Sequence, residues 1–412
     1  MRPAGATSIL IIADDLSGAA DCAIGTANAG LESIVVFDPA APVRSQVVAV
    51  DADSRRLPAS EARALNAALG ARAADAGCLL YKKIDSTLRG NFAAEMGALT
   101  GAGVAIVAPA FPGAGRAVVH GRVRVHGVPL ERTAIWASEG MTGTADVAAM
   151  LAAQGLRAGR VDLATVRAGL RAELVRLVSQ TDVQAVVCDA ETDADLAAVA
   201  AASAGLPVYW VGSAGLAAHL PRAFGIRGSA RAPAISVAGP TLIVVGSASE
   251  VSRQQARALE QRRGATLRSM VAPAAVLRAG DADPQWRALG ERARSALAGG
   301  SDLLVCTGLG EGDDLAQGRA ICQSLARLLA PLAPRVGALV ATGGETARAV
   351  LGAFGASGLR MSSEVEPGVP LSLALGPRPI AVVTKAGAFG SPGTLVAACE
   401  RIDALGRQTP RT

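Results

Sequence analysis

The sequence predicts an α/β fold of two domains, each a mainly parallel sheet covered by helices. Three observations carry this. Short, almost wholly apolar runs recur along the chain, as they do when a strand is buried on both sheet faces. Ala- and Leu-rich stretches with helical spacing separate several of them. The rhythm stops at residues 225–240, rich in Gly, Ser and Ala with two prolines, and then restarts.

In chain order, Ser8–Ala13 is the first strand, and an acidic turn follows it. Ala19, Cys22, Ala23 and Thr26 then fall at helical spacing. Ile34–Phe37, Val47–Val50, Cys78–Tyr81, Val104–Ala108, Ala185–Cys188 and Val208–Val211 have the same apolar character. Beyond the break, Thr241–Val245, Leu303–Cys306, Ala338–Ala341 and Ile380–Val383 are strands, each ending at a glycine-bearing turn. Ala347, Val350, Leu351 and Phe354 mark one helix face, and Leu395, Ala398, Cys399 and Ile402 another. The expected domains are 1–228 and 240–412, with a ligand cleft between them.

Composition narrows the function. Half of the 412 residues are hydrophobic, 18% are charged and the net charge is +5, which excludes a mainly disordered chain. The apolar runs are far shorter than the ~20 residues of a spanning helix. The start, Met-Arg-Pro-Ala-Gly, shows no apolar leader or cleavage site, so the expected location is the cytoplasm. Six scattered cysteines form no zinc pattern and read as reduced and mostly buried. With no basic run and 3% aromatic residues, nucleic acid is not the expected partner, nor is a membrane; a small anion is. A homo-oligomer stays open.

The cations are uneven. Of 40, only Lys82, Lys83 and Lys385 are lysines. Lysine is a compact point charge and arginine a planar fork, so the three sites ask for the former. Two of them stand in Lys82-Lys-Ile-Asp-Ser-Thr-Leu-Arg-Gly-Asn91, which offers anion donors beside a general base, Asp85. Asp14 and Asp15 end the first strand, where open α/β sheets bind ligands, and suit a hydroxyl-binding or metal-proximal site. The spacing is D-D, unlike the D-x-D start of a phosphatase. Arg55 and Arg56 end another strand and could grip a carboxylate; Arg116 closes a Pro- and Gly-rich turn as a further anion contact.

In the second half, Gly246-Ser-Ala-Ser249, Gly308-Leu-Gly-Glu-Gly312, Thr342-Gly-Gly-Glu-Thr346 and Lys385-Ala-Gly-Ala-Phe-Gly390 each follow a strand. Glycine lets backbone N–H groups approach a phosphate at a helix start, so several such turns favour a nucleotide polyphosphate. No Walker loop or protein-kinase set is present. His120, His126 and His219 are isolated and not expected to be catalytic.

These residues resemble a known family. Ala13-Asp-Asp-Leu-Ser-Gly-Ala-Ala-Asp21, the Lys82–Asn91 block, Pro109-Ala-Phe-Pro-Gly-Ala-Gly-Arg116, Gly212-Ser-Ala-Gly-Leu216, Gly343-Gly-Glu-Thr346 and Lys385–Gly390 look like the four-carbon acid sugar kinases, over residues 8–400. The resemblance implies an N-terminal substrate domain and a C-terminal nucleotide domain. It implies ATP-dependent phosphorylation of threonate, erythronate or 3-oxo-tetronate. Asp15, Arg56 and Lys83–Ser86 would hold the acid sugar; Ser247, Gly343–Thr346 and Gly387 would hold ATP.

The full expected set follows. Asp15 or Asp85 accepts the hydroxyl proton. Asp14, Asp15, Arg56, Lys82, Lys83, Ile84, Asp85, Ser86 and Arg89 bind the substrate. Ser247, Gly343, Gly344, Glu345, Thr346, Lys385, Gly387 and Gly390 bind ATP, with Mg²⁺ bridging its phosphates. The alternatives are a sugar-phosphate phosphatase or aldolase built on Asp14/Asp15, and a non-enzymatic nucleotide or metabolite sensor.

Overall fold

The computed structural model describes residues 8–41, 44–247, 249–308 and 318–408. The chain separates into two units, Met1–Arg231 and Ala232–Thr412.

The first unit contains β1 (Ile9–Ala13), β2 (Ser33–Val36), β3 (Val47–Asp51), β4 (Leu79–Lys83), β5 (Val104–Ala108), β6 (Arg116–Val119), β7 (Arg122–Val125), β8 (Val128–Pro129), β9 (Ala158–Val161), β10 (Ala185–Cys188) and β11 (Val208–Gly212). Eight of them form a sheet in the order β2-β3-β1-β4-β11-β5-β10-β9, and every pairing in it is parallel. All five residues of β1 are buried, as a central strand requires. From β1 the chain winds outward through β2 and back to β3, then crosses to β4 on the other side. The C-terminal ends of β3, β1 and β4 therefore lie side by side at a crossover, the standard ligand position in this fold class.

A small antiparallel sheet, β6-β7-β8, is an addition that the apolar runs did not reveal. Its residues alternate polar and apolar. Its two turns are built on His120-Gly121 and His126-Gly127, and all four residues have positive φ. Paired positive φ values are what tight hairpin turns need. Two of the isolated histidines are thus turn residues.

The second unit contains β12 (Thr241–Val245), β13 (Leu267–Ala272), β14 (Asp302–Thr307), β15 (Ala338–Thr342), β16 (Gly358–Glu366), β17 (Val369–Leu375) and β18 (Ala381–Lys385). Their order is β13-β14-β12-β15-β18-β17-β16. The first five run parallel, and the β16–β17 hairpin adds antiparallel to β18. The winding reverses between β12 and β15, so the turns after these strands face one crevice at the switch point. Its core packs Ile243, Leu304, Val340 and Val383 against Leu395, Ala398 and Ile402 of the last helix. No helix among the described residues is long and apolar enough to cross a membrane. All six cysteines are free thiols.

Candidate active site

In the first unit the polar residues gather where β3, β1 and β4 end. Asp15 caps the helix Leu16–Asn28, accepting from the Gly18 N–H at 2.8 Å. Arg55, just past β3, is the hub. Its Nε and Nη2 donate to the Asp14 carboxylate at 2.7 and 3.1 Å. Its Nη1 lies 2.9 Å from Asp15 Oδ2, and its Nη2 3.4 Å from Asp85 Oδ2. Burial would raise the Asp14 pKa, but the Arg55 guanidinium outweighs it and holds the carboxyl below its ordinary value.

Asp85 is more fully engaged. Thr87 donates both its N–H and its hydroxyl to Oδ1, and Arg89 Nη2 donates to Oδ2 at 2.6 Å. Burial again works against ionisation, yet Arg89 and Arg55 keep this carboxyl well below the usual carboxylate range. Asp15 keeps more exposure, at 17% against 10% for the Asp85 side chain.

β4 sends its two lysines to different surroundings. Lys83 is buried and has no hydrogen-bond or ion-pair partner among the described residues. Burial would lower its pKa, but Asp14, Asp15 and Asp85 raise it above the ordinary value, so it stays an ammonium. Its Nζ lies over the first turn of the helix Leu16–Asn28, where a Cβ on Gly18 would come within 2.5 Å of it. A cation beside a helix start is an anion-attracting corner.

Lys82, expected like Lys83 at the substrate, is engaged inside the protein. Its ammonium is 2.8 Å from Glu95 Oε2, and neither side chain has any exposure. Strand alternation turns it away from Lys83 and into the interior. Ile84, also expected there, has its side chain in the core and its N–H donating to Gly212 O at 2.9 Å. Arg55 grips the protein's own carboxylates rather than an incoming one. Arg56 and Arg89 meet a carboxylate that the sequence reading missed, Glu139, at 3.7 and 3.3 Å. Ser86 is 8% exposed beside Asp85. Arg116 opens β6, and burial depresses its guanidinium against the opposing pull of Asp85.

Glu95 did leave a signal in the sequence: a carboxylate inside Phe92-Ala-Ala-Glu-Met-Gly97 needs a buried partner. Glu139, in an ordinary Ser-Glu-Gly stretch, left none.

In the second unit the glycine turns meet at the switch point. A Cβ on Gly246 would lie 2.0 Å from Thr346 Oγ1, and one on Gly387 would lie 2.1 Å from Ser247 Oγ. Each glycine leaves the space that a neighbouring side chain occupies, Thr346 at Gly246 and Ser247 at Gly387. Gly343, at φ +90°, precedes the helix Gly344–Ala353, and its N–H donates to Lys385 O at 2.9 Å. Glu345 is in the first turn of that helix; Thr346 is buried, with Oγ1 3.3 Å from Cys322 Sγ. Thr342 Oγ1, buried at the end of β15, has no hydrogen-bond partner among the described residues.

Lys385 ends β18 with its Nζ 3.1 Å from Gly387 O and 3.5 Å from Ser252 Oγ. Burial pulls its pKa down to about 8, against the upward pull of Glu366. Gly390 stands apart from the cradle: a Cβ there would crowd Thr394 Oγ1 and Glu366 Oε1, which are bonded to each other. Ala248 and residues 309–312 of the expected turns lie outside the described residues.

A family model for a sugar-binding N-terminal domain matches residues 9–220, and one for a nucleotide-binding C-terminal domain matches residues 242–395. A D-threonate kinase from Cupriavidus necator is 48% identical, with 94% of this chain and 96% of that one aligned. The chain belongs to the four-carbon acid sugar kinase family. Other members include a D-threonate kinase from Bordetella bronchiseptica, 36% identical over 97% of this chain and 98% of that one. A 3-oxo-tetronate kinase from Cupriavidus necator is 30% identical over 92% and 94%. A crystal structure from Salmonella typhimurium LT2 matches the fold with a TM-score of 0.81 at 23% identity, over 96% of this chain and 99% of that one.

Proposed function

We propose that this protein is an ATP-dependent kinase that phosphorylates a hydroxyl of a four-carbon sugar acid, with D-threonate the first candidate. The named relatives supply the reaction class. The structural observation that carries it to this chain is the corner formed by Lys83 and Asp15. There a buried ammonium without a protein partner stands beside an accessible carboxylate at the crossover of β1, β3 and β4. The ammonium takes the acid's carboxylate, and Asp15 accepts the proton of the attacking hydroxyl. Asp14, Arg55 and Asp85 hold that geometry. Ser86, Arg56 and Arg89 complete the sugar-acid side.

ATP belongs to the second unit. The Gly246 and Gly387 turns, the helix start at Gly343–Thr346, Ser247 and the Thr342 hydroxyl, unbonded among the described residues, fit a polyphosphate. Lys385 neutralises phosphate charge. Phosphoryl transfer needs mostly positioning and charge neutralisation. Among the described residues no group of three or more His, Cys, Asp or Glu is placed to hold a metal. Mg²⁺ characteristically keeps several waters and rides on substrate phosphates, and it would supply charge neutralisation there.

The test is ADP release measured with D-threonate, D-erythronate, their L-forms and 3-oxo-tetronate. Release that requires one of these acids is expected. No release with any of them overturns the proposal, and phosphate release from a sugar phosphate would put a phosphatase in its place.

A further inference from the structure

Arg56 and Arg89 come from different turns of the chain, yet both point at one carboxylate. Arg89 Nη1 lies 3.3 Å from Glu139 Oε1 and Arg56 Nη1 3.7 Å from Glu139 Oε2. Each carboxylate oxygen thus faces a guanidinium, the donor group that suits a carboxylate. The pairing is loose. Charge-assisted N–H···O bonds prefer ~2.7–2.9 Å, and Arg89 reaches that only with Asp85, at 2.6 Å. Asp85 therefore fixes the Arg89 guanidinium, and its other amino group is left turned toward Glu139. The three side chains keep solvent contact, at 36% for Arg56, 33% for Arg89 and 17% for Glu139.

Glu139 also borders a glycine-bearing segment. It follows the short helix Ala134–Ser138 and precedes Gly140, at φ +63°. Gly143 has φ +83°, and at neither glycine would an added Cβ meet any atom within 4 Å. The segment from 139 to 144 is open beside both glycines, while the Met141 N–H donates to Trp136 O at 3.2 Å and the Thr144 hydroxyl is buried.

Resting on the sugar-acid kinase reading, we propose that Glu139 is an internal stand-in for the substrate carboxylate. In the ligand-free protein it occupies Arg56 and Arg89. The acid sugar, anchored at Lys83, displaces it and takes one or both guanidiniums. Exchanging one carboxylate for another leaves the charge of the site unchanged. Glu139 thereby disfavours a neutral sugar, because such a sugar brings no charge to replace the one it removes.

The test uses the full chain with Glu139→Gln and Glu139→Ala. Each removes the competing charge, so the calorimetric Kd for D-threonate without nucleotide should fall, and the KM for the acid with it. An exposed ion pair of this kind predicts roughly a two- to fivefold change. A Kd that is unchanged or raised in both variants overturns the proposal, since a residue that merely positions the arginines would weaken binding when lost. If the unaltered protein phosphorylates no four-carbon acid, the kinase reading itself fails. If it does phosphorylate one and the variants do not bind it more tightly, the stand-in role alone fails.

Discussion

Asp15 and Asp85 carry the same carboxyl group in different company, and the proposed roles follow from that company. Asp85 is saturated by Thr87, Arg89 and Arg55, so it has little affinity left for a proton. Asp15 accepts one backbone N–H and one arginine contact and remains partly open. Asp15→Asn should lower kcat by about a hundredfold or more with little change in KM, as loss of a general base does. Asp85→Asn should instead raise KM and lower stability, because it releases Arg89. Steady-state kinetics on both variants separate the roles, and the reverse pattern would exchange them. Lys385 presents a different balance. Burial brings it to about 8, so it loses its charge as the pH rises through that value. The KM for ATP should climb between about pH 7 and pH 9 as the attraction disappears. Lys385→Met should raise the KM about tenfold or more at pH 7 and flatten that climb. The stability effect has the opposite sense. A lysine with a depressed folded value is penalised while charged in both states, so its contribution to stability improves as pH rises above about 8. A pH-independent KM in the native protein would remove Lys385 from the phosphate site.

Strand β4 shows what an element decides that a residue list does not. Lys82 and Lys83 are neighbours in sequence, but strand alternation gives one a structural ion pair and the other the ligand corner. Lys82→Met strands a buried Glu95 charge and should cost about 3–5 kcal/mol in denaturant unfolding. The double variant Lys82→Met/Glu95→Leu should recover most of it. Lys83→Met should leave the unfolding midpoint nearly alone and raise the KM for the acid. Equal effects of the two single variants on KM would undo the distinction. Strands such as Val104–Ala108 and Thr241–Val245 were legible to the residue, because burial on both faces writes an unbroken apolar run. β9 was not legible, since Ala-Gly-Arg-Val sits at a sheet edge and carries a charge. The β16–β17 hairpin was hidden by Ser and Glu and by register shifts near Ser363 and Glu366. The β6–β8 sheet did announce itself, in two His-Gly turns flanked by valines, but only a period-two reading would have found it. In the site, the carboxylates and Lys83 were legible as types in a dense segment. Which cations would be consumed internally was not, because Glu95 and Glu139 join the group only through the fold.

Across the whole molecule the cations divide by chemistry. All three lysines are buried, while many arginines work at the surface in pairs such as Arg176–Glu173 and Arg262–Glu400. A chain that uses arginine almost everywhere keeps lysine for the interior, where a compact head is needed. This bears on why the substrate is an acid. A crowd of uncompensated positive charge demanding an anion is not what the fold contains: Arg55 and Lys82 are matched by the protein's own carboxylates. The demand narrows to Lys83, joined on displacement of Glu139 by Arg56 and by an Arg89 still held by Asp85. A charge-assisted contact from one ammonium to a carboxylate contributes roughly 1.5–3 kcal/mol, or about one to two decades in kcat/KM. The expected outcome is that threonate exceeds threitol by at least about tenfold in kcat/KM. Replacing Lys83 by Met should shrink that ratio more than it lowers the rate with threitol. A competing account gives Lys83 to the transferring phosphoryl group. On that account Lys83→Met would slow both substrates alike and leave the ratio unchanged. Measuring both substrates with both proteins decides between them, because only a carboxylate contact makes the loss depend on the charge of the substrate.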